Sequence, residues 1–69
     1  MQGKAEKKFW ELYNGVGPGA RLLSTCSSKS WRGARAKFES EGYFGSCTIV
    51  GWLPSDRVRT TETHVVKFK

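Results

Sequence analysis

From Lys8 onward the chain alternates. Trp10 and Leu12 fall on one side of a period of two and Phe9, Glu11 and Tyr13 on the other, which predicts a strand with one apolar face and one mixed face. Asn14-Gly15-Val16-Gly17-Pro18-Gly19 then puts three glycines and a proline into six residues, the composition of a chain reversal. Ala20 to Cys26, with Leu22, Leu23 and Thr25, becomes the return arm of a hairpin.

After Ser27-Ser28-Lys29-Ser30 the period changes. A serine hydroxyl here accepts from the free amides of a first helical turn. Beyond it Trp31, Ala34 and Phe38 stand at i, i+3 and i+7, a narrow apolar stripe, while Arg32, Arg35 and Glu39 project elsewhere. The spacing predicts a helix over residues 30–41, closed by Gly42 in the left-handed conformation. Gly33 inside it costs about 1 kcal/mol relative to Ala, which points to a close neighbour or a weak first turn.

The β-branched and aromatic run Phe44, Thr48, Ile49, Val50, Trp52, Leu53 predicts a third strand, the most buried one, ending in the turn Pro54-Ser55-Asp56. Thr60 to Phe68 predicts a fourth, with Arg57 to Arg59 as candidates to extend it. The order is β-β-α-β-β. The expected fold is a small single α+β domain over residues 8–69, an antiparallel-dominated four-stranded sheet with one helix packed on one face, after a tail over residues 1–7.

Composition changes this picture little. A chain of 69 residues has room for one domain with a thin core, and nine aromatic residues, in an overall 38% hydrophobic content, supply most of it. Two cysteines, Cys26 and Cys47, are too few for a disulfide-stapled secreted scaffold. They fit buried free thiols in a reducing compartment, with a disulfide between neighbouring strands as the alternative. No apolar stretch approaches a membrane span or a secretory segment, so the expectation is a soluble, cytoplasmic protein with no membrane partner.

Catalytic chemistry finds little support. His64 is the single histidine and has no Ser or Cys at a spacing that suggests a nucleophile and its base. The six carboxylates are scattered among cations, so no paired-acid site is visible. The cysteines form no Cys-x-x-Cys, and with one histidine they leave at most three soft ligands. The glycine-rich segment precedes a strand rather than a helix and carries Pro18, so it is a hairpin loop and not a phosphate cradle. The expectation is a non-enzyme with no cofactor, no metal and no small-molecule substrate.

Charge gives more. Twelve Lys and Arg against six Asp and Glu make a formal charge of +6, which attracts polyanions and also serves solubility. Lys29, Arg32, Arg35 and Lys37 occur within one segment that holds no acidic residue, and Arg21 adds to them. Guanidinium groups on a helix donate two parallel bonds to phosphate. The same cations also fit the solvated face of an amphipathic helix, with Arg35 paired to Glu39. Phe9 and Tyr13 project from the sheet face opposite the helix, where they suit base stacking or a protein contact. The leading expectation is a nucleic-acid-binding module for DNA or RNA, with Lys29, Arg32, Arg35, Lys37 and Arg21 on phosphates and Phe9 or Tyr13 on bases. The alternative is a protein-binding accessory or inhibitor domain that docks a host or partner protein, with the Thr60 to Phe68 strand open to edge pairing.

The hairpin-then-helix order is similar in architecture to the small DNA readers at integrase amino termini, without their signature residues. Lys7-Lys8-Phe9-Trp10 followed by a hairpin and a Ser-led helix resembles the short phage proteins that inhibit bacterial RNA polymerase. That resemblance spans four residues and an element order, and it implies a host enzyme such as RNA polymerase as the protein partner. The basic helix and the extra terminal strand depart from those proteins, so no binding residue is carried over.

Overall fold

The computed structural model describes residues 7–55 and 60–68. The tail expected over residues 1–7, apart from Lys7, and the Arg57 to Arg59 extension lie outside the described residues. Five elements follow in order: β1 (Lys8–Asn14), β2 (Arg21–Ser28), α1 (Trp31–Ser40), β3 (Gly45–Trp52) and β4 (Thr61–Phe68). All strand pairs are antiparallel in one open sheet of order β2-β1-β3-β4. This is the expected β-β-α-β-β fold, with β1 and β3 central and β2 and β4 at the edges.

The alternation of β1 sets the two faces. Trp10 and Leu12 are fully buried and lie opposite Gly51 and Ile49 of β3. With Cys47, Val66, Phe68 and, from α1, Ala34 and Phe38, they make the core under the helix. The Trp10 indole N–H donates to the Ser28 carbonyl at 2.9 Å, so burying this ring leaves no polar atom unpaired. Phe9, Glu11 and Tyr13 face the other way, opposite Trp52, Val50 and Thr48. Phe9 and Trp52 meet edge to face at 5.0 Å.

Local chemistry explains the joints. The hairpin loop is tied to β3 by Gly15 N–H donating to the Ser46 carbonyl at 3.0 Å and by the Thr48 hydroxyl donating to the Gly15 carbonyl at 2.8 Å. Ser30 caps α1, its hydroxyl oxygen accepting from the Gly33 amide at 3.2 Å. Gly42, at φ +95°, turns the chain out of the helix. A methyl at Gly33 would stand 2.3 Å from the Ser28 hydroxyl oxygen, so the close neighbour anticipated for this glycine is the end of β2. Cys26 and Cys47 sit on β2 and β3 with β1 between them, and both are free thiols.

Candidate nucleic-acid interface

An α-helix turns about 100° per residue. With Phe38 pointing into the core, Arg32, Arg35 and Glu39 fall on one flank of α1, and Lys37 and the C-cap residue Glu41 fall on the other. The contacts agree with this division. On the β2 side the Lys37 ammonium donates to the Ser27 carbonyl at 2.5 Å and Glu41 accepts from the Ser24 hydroxyl at 3.0 Å. The Tyr43 hydroxyl donates to the Leu23 carbonyl at 3.3 Å. These groups bind the edge strand to the helix.

The opposite flank is a groove of about 520 Å3 lined by Trp31, Arg32, Arg35, Ala36 and Glu39. Arg32 is exposed and Arg35 half-buried. Arg35 Nε is shut off from solvent with no hydrogen-bond partner among the described residues. No ion pair joins Arg35 to Glu39 among the described residues, so the i, i+4 pairing weighed for them does not form. Lys29 is exposed at the bend before α1, and the first turn of the helix carries no acidic residue. Cations beside the positive end of a helix dipole cost about 0.3–1 kcal/mol each. An anion seated there turns that cost into an attraction.

Trp31 packs against the core and also borders this flank. Its indole is half-buried and stacks on His64 of β4, with ring centres 4.3 Å apart and planes 12° from parallel. His64 Nε2 meets the Glu62 carboxylate, and the other Glu62 oxygen accepts from the Lys8 ammonium at 2.8 Å. Lys8, with His64 second, holds the Glu62 carboxyl below the usual carboxylate range. Lys8 also lies 5.9 Å from the centre of the Trp10 ring. Side chains of β1 and β4 thus form a chain of contacts ending on the back of the Trp31 ring.

The expected residues therefore separate into groups. Lys29, Arg32 and Arg35 lie at the helix start and its β4-side flank. Lys37 is on the far flank, engaged with β2. Arg21 begins β2 opposite Asn14, at the other end of the strand from Ser28. Phe9 and Tyr13 are across the sheet, as their parity implied, so no single groove joins them to the helix cations. Tyr13 donates its hydroxyl to Glu11 at 2.8 Å and lines a smaller hollow of about 260 Å3 with Gly17, Pro18, Ala20, Thr48 and Val50.

The aromatic side chain that accompanies the arginines is Trp31, which packs against the core as the i, i+3, i+7 stripe predicts and lines the groove as well. Helical spacing puts Trp31 and Arg35 one turn apart, and that was the available signal. The approach of His64 was not legible locally, because it depends on which strand β4 joins. Burial pushes the Cys26 thiol up, Lys37 partly opposing it. Among the described residues no cluster of three His, Cys, Asp or Glu gathers, and no helix is long and apolar enough to cross a membrane. No family model, curated protein or solved structure matches the chain.

Proposed function

We propose that the protein is a non-catalytic nucleic-acid-binding module that meets the phosphate backbone with Lys29, Arg32 and Arg35. The observation that carries this reading is the groove on the β4-side flank of α1, where two arginines without ion-pair partners among the described residues stand beside an aromatic ring. Arginine beside a half-buried ring that borders the groove suits phosphate and base together. The charge of +6 supports it by drawing polyanions to the chain. Fluorescence polarisation of the purified protein with labelled DNA and RNA, at about 50 and 200 mM salt, tests it. Micromolar binding that weakens steeply with salt is the expected result. Absence of binding at the lower salt contradicts the reading.

A second reading, a domain that docks a protein, is favoured by the sheet face opposite the helix. There Leu22 and Val65 are 48% and 63% exposed, beside the half-buried Phe9 and Tyr13, and only Glu11 and Lys67 bring charge to the strands. An apolar patch of this kind suits a protein partner. Among the described residues no side-chain hydrogen bond reaches the backbone of the edge strand β4, which leaves that edge suited to strand addition. A pull-down from nuclease-treated lysate that retains a stoichiometric protein at high salt would favour this reading over the first.

A further inference from the structure

Trp31 has more support than a surface ring needs for packing alone. Its back rests on His64, nearly parallel at 4.3 Å, His64 is held by Glu62, and Glu62 by Lys8. His64 covers one face of the Trp31 ring, and Trp31, which also packs against the core, lines the groove where His64 does not. The groove, at about 520 Å3, lies inside the range of about 300–1,000 Å3 over which proteins hold small ligands. Arg32, Arg35 and Glu39 line it with Trp31.

We propose that Trp31 is a stacking platform for an unpaired nucleobase, so that the groove takes single-stranded nucleic acid in preference to duplex. This rests on the nucleic-acid reading above and specifies its ligand. A duplex keeps its base faces inside the stack, while an unpaired base offers a π-face to a ring of any sequence context. The His64–Glu62–Lys8 relay positions the indole before the ligand arrives, which reduces the ordering needed on binding. The arginines contribute charge, and Trp31 contributes the choice between strand forms.

A purely structural role for Trp31 would be to clamp the start of α1 onto β4, and two substitutions separate the roles. Trp31→Leu keeps apolar bulk without a π-face, and Trp31→Phe keeps a ring. Binding of both variants and the parent to labelled oligothymidylate, oligouridylate and a DNA duplex of equal length is compared, with thermal midpoints as the check on folding. The platform predicts that Trp31→Leu loses about tenfold in affinity for the single strands, that Trp31→Phe stays within about threefold, and that duplex affinity does not change. Equal effects of the two variants, or a parent that prefers duplex, overturn the platform and leave the nucleic-acid reading standing. A parent that binds none of the three overturns both.

A second readout needs only the better-behaved variant. Trp10 is buried and Trp52 is on the opposite face, so tryptophan fluorescence quenched by oligothymidylate in the parent should persist unquenched in Trp31→Phe. Equal quenching in the two proteins contradicts the stacking assignment.

Discussion

The two flanks of α1 carry cations a few residues apart that differ in what they do. On the β2 side Lys37 donates to a strand carbonyl, Glu41 accepts from Ser24 and Tyr43 caps Leu23. Edge strands expose backbone groups that natural proteins cover or twist away. β2 has both protections, since its pairing with β1 also shifts register at Leu12/Tyr13. On the β4 side Arg32 and Arg35 enter no ion pair among the described residues. A count of basic residues does not distinguish these uses. The direction of each side chain does, and a cation already donating to the fold has less to offer a partner.

Substitutions on either side sharpen this contrast. The largest effect is expected at Phe38, the fully buried ring between the flanks. Phe38→Ala should cost about 3–5 kcal/mol, enough to unfold a domain this small, and a cooperative thermal transition close to the parent's would show that α1 is held by its flanks instead of its core. Next is Lys37→Met, which keeps the apolar stem and removes the bond to Ser27. It should lower stability by about 0.5–1 kcal/mol in urea titration while leaving nucleic-acid affinity within about threefold. A large loss of affinity with unchanged stability would place Lys37 among the ligand contacts and dissolve the distinction between flanks.

The smallest effect is expected at Glu62, whose side chain is 36% exposed and bonded to Lys8 at 2.8 Å. Lys8 and then His64 lower its folded pKa. The ionised carboxylate therefore adds stability above its unfolded pKa of about 4.3, and that stability is lost as pH falls through the folded value. Solvent screening keeps the contribution small. Thermal midpoints measured across this acid range should fall less steeply for Glu62→Gln than for the parent, and superimposable curves would remove the pair from the stability account.

Much of this was written in local pattern. The alternation at Phe9 to Tyr13, the glycine-rich reversal and the Ser30 cap each act over a few residues, so the hairpin, the helix and the two sheet faces were readable from them. The acid-free run from Lys29 to Lys37 is one feature along the chain and two around the helix. Arg35 and Lys37 are two residues apart and about 200° apart in direction. The joining of β1 to β3 spans β2 and α1, and nothing in the strand sequences states it. The Trp31–His64 stack and the separation of Cys26 from Cys47 both follow from that order. They became visible only once the sheet was assembled.

The central claim is that the β4-side flank, and not net charge in general, binds nucleic acid. The direct test is fluorescence polarisation of labelled single-stranded DNA and RNA against the Arg32→Glu/Arg35→Glu double variant and, separately, Lys37→Glu, each at about 50 and 200 mM salt. The double variant should lose on the order of 100-fold in affinity at the lower salt and show a shallower salt dependence, with Lys37→Glu changed by less than about fivefold. Equal losses per reversed charge in the two proteins, or none in either, would contradict the account.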